Sequence, residues 1–371
     1  MTRSAFVHRL STRGPDDVAG FDSMLGSGEI SAESIVAILG KTEGNGCVND
    51  FTRGFAAASL KDTLRRHLPK EKADEVCIVM SGGTEGAMAP HIVVLEARET
   101  DDKPQPGALA LGKARTPPLP FHHLGGLEQV DSVAAGVAAA MANAGIGSAD
   151  DVHFVQIKCP LLTLDRIAET EASGRNTATR DTLKSMGLSR AASALGVGVA
   201  LGEIDREKLT NEAIGRDWSL YSTRASASAG VELLDHEIIV LGATSGWGGP
   251  LRIAHGVMAD AIDVEPVRAA MTAAGLSCQG QLAASDRQRL VALLAKAEAG
   301  SSGRLRGYRH TMLDDSDISS TRHARGFVAG VLAGLVGHAE IYVSGGAEHQ
   351  GPDGGGPVAI IARAVSEAGL P

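Results

Sequence analysis

Aromatic side chains are scarce in this sequence, at 3% of the residues. That shortage argues against the stacking platforms that hold single-stranded nucleic acid. There is no long basic run either, and the formal net charge is -9, so neither nucleic acid nor an anionic membrane is an expected partner. The N-terminus MTRSAFVHRLSTRGPDD has no apolar signal core. The longest apolar stretch, Gly326 to Gly337, is too short to span a bilayer and runs into His338 and Glu340. A soluble, cytoplasmic protein is expected.

Motifs of the common catalytic folds are missing too. The four cysteines, Cys47, Cys77, Cys159 and Cys278, form no CxxC pair, so no structural zinc is expected. They read as buried thiols, although Lys158 beside Cys159 could lower that thiol's pKa. His236-Glu237 lacks the second histidine of a zinc protease, and there is no phosphate-binding P-loop. Gly196-Val197-Gly198 has Leu201 where a dinucleotide fingerprint needs glycine. Gly242-Ala243-Thr244-Ser245-Gly246 has the wrong spacing for a nucleophile elbow. His91, His122 and His123 read as structural or surface residues.

What the chain does have is one pattern written three times. It reads Ser81-Gly82-Gly83-Thr84-Glu85, Ser228-Ala229-Gly230-Val231-Glu232 and Ser344-Gly345-Gly346-Ala347-Glu348. The copies lie 147 and 116 residues apart, too far for a solenoid repeat. Two linkers, Arg98 to Pro120 and Gly246 to Pro250, divide the chain into units of about 1–103, 112–249 and 255–371.

Within each unit the order of events is the same. An apolar segment ends in Lys41, Lys158 or Lys296, and an arginine, Arg53, Arg190 or Arg325, then opens an Ala/Gly-rich helical segment. The triplet Arg-Gly-Phe is literal in the first and third units and absent from the second. A β-rich run then leads to the serine, clearly before Ser81 and Ser344 and less clearly before Ser228. Periodicity also predicts helices over 131–144 and 285–298. Helices alternating with strands point to a mixed α and β architecture.

The chemistry follows from the repeated residue types. A serine hydroxyl needs a base, and no histidine recurs in the three units. A lysine serves if burial and neighbouring cations lower its pKa, and three lysines and three arginines around one axis would supply that repulsion. Backbone N–H groups after the serines suit an oxyanion, and arginines suit carbonyl or imidate oxygens. A small, flat, threefold ligand is the natural guest. Duplication could instead have preserved three structural turns.

The motifs MSGGTEG (Met80 to Gly86), SRASASAG (ending at Gly230), GATSGWGGP (Gly242 to Pro250), RHTMLDDSDI (Arg309 to Ile318) and SGGAEHQGPDGGGP (Ser344 to Pro357) resemble the cyanuric acid hydrolase and barbiturase family of cyclic amide hydrolases, over essentially the whole chain. The resemblance implies three pseudo-equivalent units around a central β-barrel, helices outside and the active site on the axis. It implies ring opening of a cyclic imide, more like cyanuric than barbituric acid. Ser228 is then the nucleophile and Lys158 its base, with Ser81–Lys41 and Ser344–Lys296 as supporting pairs. Arg53, Arg190 and Arg325, with Ser81-Gly82, Ser228-Ala229 and Ser344-Gly345, would contact the ring. The sequence leaves open Ser226 against Ser228 and Arg322 against Arg325; the repeat favours Ser228 and Arg325. The resemblance further implies no organic cofactor, a homo-oligomer (a tetramer) and a structural Mg²⁺ or Ca²⁺. The metal ligands would be Glu298, Ala347, Gln350, Gly351, Pro352 and Gly355. A barbiturase and a non-catalytic binder of planar imides remain the alternatives.

Overall fold

The computed structural model describes residues 1–365; the last six residues of the third expected unit lie outside it. The fold is mixed α/β. Four strands, β1 (Thr2–Ser11), β2 (Ile35–Thr42), β3 (Cys77–Gly82) and β4 (His91–Thr100), form one sheet. β5 (Ala108–Arg115), β6 (Val152–Pro160), β7 (Ala225–Gly230) and β8 (Glu237–Thr244) form a second. β9 (Trp247–Gly248) crosses back to run parallel to β1. β10 (Leu251–Met258), β11 (Leu290–Ala297), β14 (Tyr342–Gly345) and β15 (Gly356–Arg363) form the third sheet, while β12 (Arg304–Leu305) and β13 (Tyr308–Arg309) make a small hairpin.

The three main sheets share one strand order: β3-β2-β4-β1, β7-β6-β8-β5 and β14-β11-β15-β10. In each, the lysine strand runs parallel to the serine strand, and register pairs Lys41 with Ser81, Lys158 with Ser228 and Lys296 with Ser344. Hydrogen bonding leaves the sheets separate, so no closed barrel forms among the described residues.

Alternation along the strands builds the core. In β2, Leu39 joins a cluster shared by all three sheets, while Ile38 packs into the first sheet's own cluster. In β11, Leu294 joins the shared cluster and Ala295 an outer one. Every residue of β2, β6 and β11 but His153 is buried, as the continuous apolar runs require. Gln156 of β6 and Ser226 of β7 are polar yet wholly buried, joined by a 2.8 Å hydrogen bond.

Several expectations are corrected. The helix predicted over 285–298 is a single short helix, Ala284–Arg289, followed by β11. A run buried on both faces has no polar side to separate the two periodicities. The stretch before Ser228 is a regular strand, β7, despite its small polar residues. The first linker contains β5, and the second contains β9. The arginines do not open their helices. Arg53 is the third residue of helix Phe51–His67, Arg190 the ninth of Thr182–Ala200 and Arg325 the sixth of Ser320–Val336.

Candidate active site

The three serine turns meet in one pocket. Its walls are Ser81, Gly82, Ser228, Ala229, Ser344, Gly345, Arg53, Arg190 and Arg325, joined by Gly46 and Met186. The pocket is small and opens to solvent at its mouth. It opens toward a wider vestibule lined by residues such as Cys47, Leu183, Trp218 and Arg322. All nine residues expected to touch a ring thus converge from three sheets and three helices.

Both ambiguities of sequence are decided as to place. Ser228 faces the pocket, whereas Ser226 is bonded to Gln156 in the core. Arg325 is 3% exposed and lines the pocket; Arg322, with a side chain 42% exposed, stands in the vestibule.

Behind the serines lie three fully buried lysines. Each Nζ donates to the carbonyl just before the serine of another copy: Lys41 to Val343 at 2.8 Å, Lys158 to Met80 at 3.1 Å and Lys296 to Ala227 at 3.0 Å. The contacts form a closed cycle through the three sheets. Lys41 also donates to Ser81 Oγ at 3.1 Å, and Lys296 to Ser344 Oγ at 3.3 Å. Lys158 makes no such bond to Ser228 among the described residues. It forms an ion pair with Glu232 at 3.0 Å, and Ser228 Oγ lies 3.3 Å from Ser344 Oγ. Burial, reinforced by Arg325, takes Lys41 well below the ordinary lysine range. Burial and then Arg190 lower Lys296 to about 7.

The arginines carry a second cycle. Arg190 is bidentate to Glu348, Arg325 is bidentate to Glu85, and Arg53 donates to the Ala229 carbonyl at 2.9 Å. Burial alone would raise both carboxyls, but the guanidiniums hold Glu348 and Glu85 below the ordinary range. Asp50 caps helix Phe51–His67 through Thr52 N at 3.0 Å and also accepts from Gly46 N at 2.7 Å, which seats the Gly46 loop on the pocket. Gly82 is needed beside it, because a Cβ there would lie 1.8 Å from Asp50 Oδ2.

Sequence reasoning missed four contributors: Gly46, Met186, Asp50 and Tyr342. Tyr342 is wholly buried, and its hydroxyl borders those of Ser228 and Ser81 without a hydrogen bond to either. Its place two residues before Ser344, on the same face of a strand, was the available signal. Cys159 is no activated thiol: burial raises its pKa despite the neighbouring Lys158, and its Sγ lies 3.6 Å from the Ser228 carbonyl oxygen.

At the third turn, Glu298 is a desolvated carboxylate with no ion pair among the described residues. It accepts from Ala299 N at 3.0 Å and the Thr321 hydroxyl at 3.2 Å. Burial, then Glu348, raises its pKa. The Gln350 side chain is already committed, donating to Gly346 O and accepting from Ala227 N. No cluster of three acidic, His or Cys groups suited to a metal occurs among the described residues, and no described helix is long and apolar enough to cross a membrane.

Comparison with known proteins agrees over the whole chain. It is 62% identical over 363 residues to a cyanuric acid amidohydrolase of Bradyrhizobium sp. (strain ORS 375), covering 97% of this chain and 98% of that one. It is 60% identical to that of Azorhizobium caulinodans, covering 96% and 98%. The fold superposes on a crystal structure of cyanuric acid hydrolase from A. caulinodans with TM-score 0.92 and 60% identity, covering 98% of this chain and all of that one. A second cyanuric acid hydrolase, described as arising by structural concatenation, gives TM-score 0.93 at 46% identity with the same coverage. The family of amidohydrolase ring-opening proteins matches residues 6–363, and the chain belongs to that family.

Proposed function

We propose that the protein opens the ring of cyanuric acid by hydrolysis, giving carboxybiuret, which loses carbon dioxide to leave biuret. The observation that carries this reading is the pocket itself: three serines and three arginines around one small shared space, with three buried lysines behind them. The relatives named above support the substrate. The repeated strand order supports three pseudo-equivalent units of about 1–103, 112–249 and 255–371 around a common axis that passes through the pocket.

In this reading Arg53, Arg190 and Arg325 clamp the ring oxygens and hold one carbonyl carbon against Ser228 Oγ. Lys158 takes the serine proton as the Oγ–C bond forms, and N–H groups of the small-residue turn meet the oxyanion. Collapse breaks the ring C–N bond, and the nitrogen leaves with the proton from Lys158. Water then displaces the acyl group from Ser228. Ser81–Lys41 and Ser344–Lys296 polarise the other carbonyls; their Ser–Lys hydrogen bonds are already in place.

A divalent cation fits the third turn. Its charge would offset the buried Glu298 carboxylate, and carbonyls or side chains of Ala347, Gln350, Gly351, Pro352 and Gly355 in the Gly-rich segment would complete its shell. Bound there, it would order the Ser344 turn.

The test is steady-state hydrolysis of cyanuric acid beside barbituric acid. Preference for cyanuric acid is the expected result. Preference for barbituric acid identifies a barbiturase, and recovery of both intact after long incubation identifies a binder.

A further inference from the structure

The glutamates that end the three serine motifs do not behave alike. Glu85 accepts from Arg325, and Glu348 from Arg190, so each neutralises a pocket arginine from another sheet's helix. By the same cycle Glu232 should neutralise Arg53, whose guanidinium already reaches the Ala229 carbonyl of the second motif. It does not. Arg53 Nε is buried without a hydrogen-bond partner, and its ion pair is a loose 3.7 Å contact with Asp50. Glu232 holds Lys158 instead, at 3.0 Å. On Lys158 it takes the place that the serine holds on Lys41 and Lys296.

We propose that Glu232 is a positioning residue with two seats: on Lys158 in the free protein, keeping the lysine off Ser228, and on Arg53 when a ring fills the pocket, releasing Lys158 to Ser228. The proposal rests on the reading of Ser228 and Lys158 as the reacting pair. The second seat asks Gly230, which ends β7 in an extended conformation, to take the positive φ of Gly83 and Gly346, 102° and 76°, from which Glu85 and Glu348 already hold their arginines. The carboxylate can move: its side chain is 30% exposed, and it folds back over Gly230, where a Cβ would lie 2.3 Å from it.

The charges favour a carboxylate shared by two cations. Burial alone would raise Glu232, yet Lys158, and after it Arg53, bring it down to about 2. The charged or titratable groups facing the pair are Glu232 from the turn after β7, Arg53 from helix Phe51–His67, Arg166 from helix Leu164–Ala172, which donates to the Val231 and Leu233 carbonyls on either side of Glu232, and Cys159 on the lysine's own strand. When Glu232 leaves, the ammonium loses its counter-ion and its proton passes to water at the pocket mouth. Lys158 then accepts the Ser228 proton. In the free protein the same ion pair keeps the serine inactive.

Glu232→Gln in the full-length protein, assayed on cyanuric acid across pH, tests this. An opposite charge at ion-pair distance is worth about 1–3 pH units. The acid limb of kcat/KM in the variant is therefore expected to move down by at least about one unit, with plateau kcat reduced more than KM is raised. Glu348→Gln, which frees only an arginine, should leave the limb in place and raise KM. A limb for Glu232→Gln that coincides with the unmodified protein's, or an effect confined to KM, overturns the two-seat role. If the Gln variant does not fold, the shorter Glu232→Asp carries the test: a smaller downward shift supports the proposal and an unmoved limb overturns it. Full activity in Lys158→Met or Ser228→Ala overturns the underlying pair itself, whatever Glu232 does.

Discussion

Arg190 donates to both carboxylate oxygens of Glu348, 158 residues further along the chain, at 2.8 and 2.6 Å. The pair ties the middle of helix Thr182–Ala200 to the turn after Ser344, and so fixes one wall of the pocket. Gly346 makes room for it, since a Cβ there would lie 2.5 Å from the guanidinium. Removing one partner leaves the other charge buried. Arg190→Ala is therefore expected to cost about 3–5 kcal/mol in urea denaturation, beside its loss of activity. Arg190→Lys keeps the charge but loses the fork, and should raise KM while costing less stability.

The serines are expected to differ although they share one pocket. Ser228→Ala and Lys158→Ala should each nearly abolish turnover, whereas Ser81→Ala and Ser344→Ala impair it less. Initial rates on cyanuric acid for the four purified variants decide the matter. Equal activity in Ser228→Ala would remove it as the nucleophile.

Much of the site could be read from the sequence because it is repeated. One Ser-Gly-Gly is a turn, but three copies with a lysine and an arginine in constant order locate nine pocket residues. The missed residues are the unrepeated ones. Asp50 ties the Gly46 loop to its helix cap in the first copy alone, Met186 lies in the second copy's helix, and Tyr342 stands where the other strands carry Val79 and Ser226. Periodicity failed at 285–298 for a different reason. LVALLAKA is buried throughout, so neither a helical nor a strand pattern of polar residues marks it. The swap of Glu232 from arginine to lysine has no signature at all, because the motif keeps its glutamate in every copy.

Acid should destabilise the fold through its buried histidines. Burial lowers His236 and His91 to about 4. The His236 ring lies 2.9 Å from both Thr116 Oγ1 and Gln129 Nε2, so both nitrogens are engaged in the neutral ring. An unfolded histidine takes up a proton near 6.5, while the native ones stay neutral down to about 4. The unfolded state thus binds more protons in that window, and stability falls as pH drops from 6.5 toward 4. Urea midpoints at pH 7, 6 and 5 should decline in step. In His236→Gln the decline should be shallower.

Removal of the cation should be felt at Glu298. Without a counter-charge its carboxylate is desolvated and faces the Glu348 charge, which raises its pKa. A cation that binds only the folded state at about 100 times its Kd adds about 2.7 kcal/mol. For a chain of this size that corresponds to a melting shift of about 3–4 °C. Exhaustive chelation should lower the melting temperature by about that amount, and Mg²⁺ or Ca²⁺ should restore it. Glu298→Gln relieves the repulsion and removes the ligand together. It should therefore melt above the chelated protein and show no response to either ion. A Glu298→Gln variant that still gains stability on adding the cation would place the metal elsewhere.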